Sequence, residues 1–146
     1  MKLEEIGFYT LNDERALNSS EKTPLRRCEL ILTDKCNFKC PYCMGLKKEL
    51  QGTIPFEQAM NTLNLWIKED LTNVRFSGGE PTLYPDLDKL IKHCKNNHVQ
   101  HIAISTNGSN NLYYYKYLVD CGVNDFSISL DSGCCSIGDK MAGNIK

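Results

Sequence analysis

The chain has 146 residues, 41% of them hydrophobic, and a formal net charge of −1. That length supports one domain with a real core, and the near-neutral balance argues against a broad basic surface for nucleic acid. No apolar run approaches the length needed to span a bilayer, and the opening Met1-Lys-Leu-Glu-Glu5 lacks the basic-then-apolar order of a secretion signal.

Residues 1–26 read as an N-terminal extension, mixed and polar, with a loop at Asn18-Ser-Ser-Glu-Lys-Thr-Pro24. Cys28 to Thr33 is apolar enough for a first strand. Thr53-Ile-Pro55 starts a helix, because proline is tolerated in a first turn, and Phe56, Ala59, Met60, Leu63 and Ile67 keep helical spacing. Val74 to Ser77 is a short strand ending in Gly78-Gly79. Pro85 opens a second helix with Leu87, Leu90, Ile91 and Cys94 on one face. His101 to Thr106 is a third strand, Leu112 to Cys121 a third helix stopped by Gly122, and Val123 to Asp131 a fourth strand. Strands alternating with helices predict right-handed parallel βαβ units.

The strands alternate in polarity, unlike strands buried on both faces. Val74, Phe76, Ile102, Ile104, Phe126, Ile128 and Leu130 are expected to face the helices. Arg75, Ser77, Ala103, Ser105, Ser127, Ser129 and Asp131 then form a small polar face. Such a face fits the lining of a wet cavity better than a sheet turned to bulk solvent, because polar motifs recur where strands end.

The strongest chemical signal is Cys36-x3-Cys40-x2-Cys43, with Tyr42 just before the third cysteine. Three thiolates can hold a four-iron cluster and leave one iron open. Structural zinc would want four ligands, usually as two close pairs, and Cys28, Cys94 and the histidines supply no such pair. Eight cysteines without a secretion signal predict a reducing compartment, the cytoplasm. About 35 residues after the triplet comes Ser77-Gly-Gly-Glu-Pro-Thr-Leu83, where Gly78 and Gly79 permit close backbone approach and Glu80 adds an acceptor. Ser105-Thr-Asn-Gly108 and Ser127-Ile-Ser-Leu-Asp131 follow at the ends of strands three and four.

These four ordered motifs resemble the radical S-adenosylmethionine (radical SAM) superfamily and cover most of residues 28–131. The resemblance implies a partial (β/α)6 barrel of about four parallel strands, with 27–146 as the N-terminal part of the core domain. It implies a [4Fe–4S] cluster on Cys36, Cys40 and Cys43 and SAM on the open iron. The Gly-Gly-Glu segment would receive the SAM amino group. Cofactor contacts are expected at Tyr42, Gly78, Gly79, Glu80, Ser105, Asn107, Ser129 and Asp131, with no catalytic side chain beyond the cluster ligands. An enzyme of this kind cleaves SAM reductively, takes its electron from a donor such as flavodoxin or ferredoxin, and abstracts hydrogen from a small-molecule or peptide substrate.

Thr33-Asp-x-Cys-Asn-x-x-Cys-x-Tyr-Cys-Met44 and Ser129-Leu-Asp-Ser132 look most like the molybdenum-cofactor cyclase branch and its peptide-modifying relatives. In the cyclase branch the positions of Tyr42, Gly79 and Ser129 contact SAM, and those of Arg75 and Thr106 contact substrate. A structural salt bridge is an equal reading of Arg75. The branch's nucleotide-binding arginine in the first strand would fall at Glu29, and a carboxylate there repels a triphosphate.

Cys28, Cys94 and Cys121 read as small core residues, Cys134-Cys135 as a surface loop rather than ligands, and the Tyr113-Tyr114-Tyr115 run with Tyr117 as helix packing. After Asp131 the sequence resembles the loop that leads into the fourth helix of peptide-modifying relatives, with their Asp-x-x-x-Gly pattern at Asp139 and Gly143 but no helix. The chain is therefore expected to stop mid-fold, with an open sheet edge that invites pairing with another chain. Two other readings are a short activase of a glycyl-radical enzyme and a non-catalytic fragment that binds metal or SAM.

Overall fold

The computed structural model describes residues 26–43 and 52–143. The expected extension and its Asn18–Pro24 loop lie outside the described residues, except for Arg26. Four parallel strands form one sheet in the order β1-β2-β3-β4: Arg27–Thr33, Asn73–Gly78, His101–Thr106 and Asp125–Ile128. Helices α1 (Phe56–Lys68), α2 (Leu87–Asn96) and α3 (Leu112–Cys121) make the crossovers. A 3₁₀ turn at Pro81–Leu83 precedes α2, which starts two residues after Pro85. No described helix is long and apolar enough to cross a membrane.

Alternation along the strands decides which side becomes the core. Leu30, Leu32, Val74, Phe76, Ile102 and Ile104 are buried against Ala59 and Leu63 of α1, Leu87, Leu90, Ile91 and Cys94 of α2, and Leu118 and Cys121 of α3. The expected α2 face is the observed one. Cys94 and Cys121 are core residues and Cys28 is partly buried beside them. Burial pushes the Cys28 thiol up and the Cys94 thiol to about 12, so these sulfurs stay protonated and packed. The tyrosines of α3 divide: Tyr114 packs on the core, Tyr115 meets Phe126 edge-on at 5.6 Å, Tyr117 bonds Asp88 and Lys92, and Tyr113 is 82% exposed.

Three expectations need correction. Strand four ends at Ile128 rather than Asp131, because β3 ends at Thr106 and the last ladder bond runs from Ser129 N–H to the Thr106 carbonyl at 2.9 Å. Ile128 and Leu130 are 59% and 78% exposed instead of facing helices, since no described element covers that flank. The segment after Asp131 is not wholly loop: Cys135–Met141 forms a short helix, α4, with Cys134 as its N-cap. On the polar face Ser77 and Ala103 are buried, whereas Arg75 and Ser105 are partly open.

Phe76 has no exposure and sits mid-sheet. Phe76→Ala is expected to cost about 3–5 kcal/mol, read as a lower urea midpoint at unchanged slope. Ile128→Ala on the open flank should change stability by less than about 0.5 kcal/mol.

Candidate cofactor site at the strand ends

The described residues of the four motifs lie on the strands or on the loops that follow them, at the end where parallel α/β folds place their function. The cysteine loop leaves β1 after Thr33 and returns beside it. Asp34 N–H bonds the Gly52 carbonyl at 2.9 Å, Ile54 N–H bonds the Leu32 carbonyl at 2.9 Å, and the Thr33 and Thr53 hydroxyls meet at 2.8 Å. Within the loop, Cys43 N–H turns back to the Cys40 carbonyl at 3.0 Å. Cys36 and Cys43 are exposed and Cys40 half-buried.

The Gly-Gly pair is what brings this loop against β2. Gly79 N–H donates to the Thr33 carbonyl at 2.6 Å and Glu80 N–H to the Lys35 carbonyl at 2.8 Å. A Cβ on Gly79 would overlap the Lys35 carbonyl oxygen and stand 2.6 Å from that of Asp34. On Gly78, whose φ is +147°, it would overlap the Thr33 carbonyl oxygen. Both positions therefore exclude any side chain.

Glu80 is wholly buried. Its Oε1 accepts from Thr82 N–H (3.0 Å), the Thr82 hydroxyl (2.6 Å) and the Thr106 hydroxyl (2.8 Å), and its Oε2 accepts from Asn107 N–H (2.7 Å). Such a carboxylate is tolerable only because its oxygens are satisfied. Thr106 is buried in the same network, taking Gly108 N–H and meeting the Tyr115 hydroxyl at 3.1 Å.

A cavity of about 220 Å³ opens beside the loop, lined in part by Cys40, Tyr42, Asn107, Ser129 and Asp131. The other predicted residues, Cys36, Cys43, Gly78, Gly79, Glu80, Ser105, Thr106 and Arg75, are not on its wall. Arg75 reaches the Ser105 hydroxyl at 3.5 Å on the sheet's polar face. Tyr42 donates its hydroxyl to Asp131, and both residues line the cavity. That bond first, and the nearby Cys40 sulfur second, raise the phenol above its ordinary range.

The rest of the lining comes from residues that the sequence did not mark as cofactor contacts. Gly138, Asp139 and Ala142 belong to α4 and its end, with Phe38 and Ser132 nearby. Lys39 N–H bonds the Ala142 carbonyl at 3.0 Å, and a Cβ on Gly143 (φ +89°) would overlap the Lys39 carbonyl oxygen. The Asp139-x-x-x-Gly143 spacing was the available signal. Cys134, at the head of α4, is held below its ordinary thiol range by the Ser136 hydroxyl and by the backbone N–H groups of Ile137 and Ser136.

All eight cysteines are free thiols. Among the described residues no three His, Cys, Asp or Glu side chains converge on one point as a mononuclear ion would require. A multi-iron cluster takes one thiolate per iron, so its ligands stand apart. Three unpaired thiols on one loop beside an open cavity fit that group.

Parallel α/β topology, a three-cysteine loop after the first strand and a glycine-rich turn after the second define a cluster-loop α/β core. Residues 30–145 match the radical SAM superfamily, and the chain belongs to it. Members of this family use a [4Fe–4S] cluster and SAM.

The chain is similar to the GTP 3',8-cyclase of Staphylococcus saprophyticus, 32% identical over 75% of this chain and 35% of that protein. It is likewise similar to the probable GTP 3',8-cyclase of Methanococcus maripaludis, 32% identical over 74% of this chain and 37% of that one. It thus spans about a third of the length of these curated relatives. Among solved structures, BtrN in complex with AdoMet and 2-DOIA superposes at TM-score 0.64 and 20% identity, over 73% of this chain and 46% of that one. Streptococcus suis SuiB bound to precursor peptide SuiA superposes at 0.68 and 21%, over 83% of this chain and 27% of that one.

Gly79→Ala is expected to push the cysteine loop off β2 and lower the iron retained after anaerobic reconstitution. Gly133→Ala, where a Cβ would meet nothing within 4 Å, should retain wild-type iron. Glu80→Ala strands the Thr82 and Asn107 N–H groups, at about 1–3 kcal/mol each. An unfolding free energy lowered by roughly that sum, seen as a lower denaturant midpoint at unchanged slope, is the expected readout.

Proposed function

We propose that residues 27–146 form the cofactor-binding part of a radical SAM enzyme. One observation carries the reading: the cysteine loop, the Gly78-Gly79 turn and the Asn107 turn are locked together at one strand edge, beside a cavity that Tyr42, Ser129 and Asp131 help to line. Cys36, Cys40 and Cys43 would hold a [4Fe–4S] cluster, and SAM would lie between the Gly79 backbone and the cavity. Such a cluster would supply the one electron for reductive SAM cleavage and hydrogen abstraction, the chemistry of this family. Tyr42 and Asp131, bonded to each other, would bound the ligand, and Ser129 would offer a hydroxyl on the ribose side. Glu80, buried as it is, acts on the ligand from behind by fixing the backbone of Thr82 and Asn107.

The relatives' names make GTP the first substrate to test. Glu29 is the register partner of Arg75 on the polar face, and its negative charge there disfavours a triphosphate. A small molecule or peptide without that charge is the better fit. The electron would come from a donor such as flavodoxin or ferredoxin in a reducing cytoplasm. The β4 edge, with Ile128 and Leu130 exposed, would pair with a further strand or a second chain.

Anaerobic reconstitution should give an iron–sulfur chromophore that is lost in Cys36→Ala, Cys40→Ala and Cys43→Ala and kept in Cys28→Ala. Calorimetry on the loaded protein should show SAM binding and no comparable heat for GTP. Stoichiometric zinc with no retained iron would sink the reading, and tight GTP binding would sink its substrate part.

A further inference from the structure

Asn107 stands 71 positions from Cys36 in sequence, yet its side-chain nitrogen lies 3.7 Å from the Cys36 sulfur. The same sulfur accepts Phe38 N–H at 3.3 Å. The orientation of the Asn107 amide is fixed by a group that cannot turn. Its Oδ1 accepts the backbone N–H of Ser109 at 3.0 Å, so the NH2 must face the loop, where its other hydrogen bonds Asn37 Oδ1 at 2.9 Å. Asn37 in turn donates to the Ser109 hydroxyl at 2.8 Å. A flipped Asn107 amide would set donor against donor at Ser109. The backbone beneath it is pinned by the buried Glu80 carboxylate.

We propose that Asn107 is a positioning residue for the cluster, giving the Cys36 sulfur a fixed N–H donor that raises the cluster's reduction potential. Resting on the proposed cluster site, this assigns Asn107 a role toward the metal group rather than toward SAM. An N–H to a ligand sulfur offsets negative charge, and the reduced cluster carries one electron more. Hydrogen bonds to sulfur are therefore a lever on potential. The donor is supplied by the turn after β3 through a network that spans both loops, so it is oriented before any cluster binds.

The test uses the full-length protein, reconstituted anaerobically and titrated reductively with the cluster's electron paramagnetic resonance signal as readout. Asn107→Asp keeps the Ser109 acceptor and the side-chain shape but replaces the donor by an oxygen. Asn107→Ala removes the side chain, and Ser109→Ala trims the network without touching the donor. Both Asn107 variants should retain iron and show a midpoint lowered by at least ten-fold in the reduction equilibrium, about 59 mV for one electron. Ser109→Ala should match wild type. Equal midpoints in the loaded Asn107 variants would overturn the proposal, as would failure of both to load iron, which would make Asn107 a mere support of the loop. Failure of wild type itself to bind iron would instead sink the cluster reading.

Discussion

A carboxylate with no exposure sits where β2, β3 and the cysteine loop come together, and the geometry of the strand ends follows from it. Glu80 takes four hydrogen bonds from Thr82, Thr106 and Asn107, while its own N–H bonds the Lys35 carbonyl. One residue thereby ties the 3₁₀ turn, the end of β3 and the start of the cysteine loop. An unpaired buried charge would be prohibitive, so every donor is needed. The result is a set of backbone groups with little freedom around a place where a ligand would bind, the preorganisation a site needs from its supporting residues.

Close approach is the second constraint, and it depends on missing side chains rather than on bonds. Gly78 and Gly79 let the loop backbone lie on β2 where a methyl group would overlap carbonyl oxygens, and Gly143 does the same for the end of α4 against Lys39. The loop is thus gripped from both sides, by the sheet and by the segment after β4. The cavity between them is lined by residues from positions 38 to 142. Tyr42 and Asp131 add a side-chain bond across the same gap.

Much of this was legible in the sequence because it is periodic or local. Alternating Val74, Phe76, Ile102 and Ile104 gave the sheet's two faces, and Leu87, Leu90, Ile91 and Cys94 gave the buried face of α2. What escaped is non-local. The end of β4 is set by where its partner β3 stops. α4 buries no residue, so no apolar spacing announces it, and its backbone contact with Lys39 is what docks it. The depth of Glu80 could not be read, since glutamate is seldom buried without partners and two of those partners, Thr106 and Asn107, lie 26 and 27 positions away. The Asn107–Cys36 contact escaped for the same reason.

The polar face of the sheet carries the remaining information about substrate. Glu29 and Arg75 are register partners on adjacent strands, and Arg75 also reaches Ser105 on β3. A guanidinium alone on this face would attract an anionic group. With a carboxylate beside it the face is closer to neutral, and Ser105 and Ser127 add hydroxyls to it. A triphosphate needs several cationic or N–H partners to replace its water. On the proposed reading, a face where Glu29 stands beside Arg75 favours a neutral, hydroxyl-bearing or peptide-like group over a triphosphate, held by hydrogen bonds that are directional and individually weak.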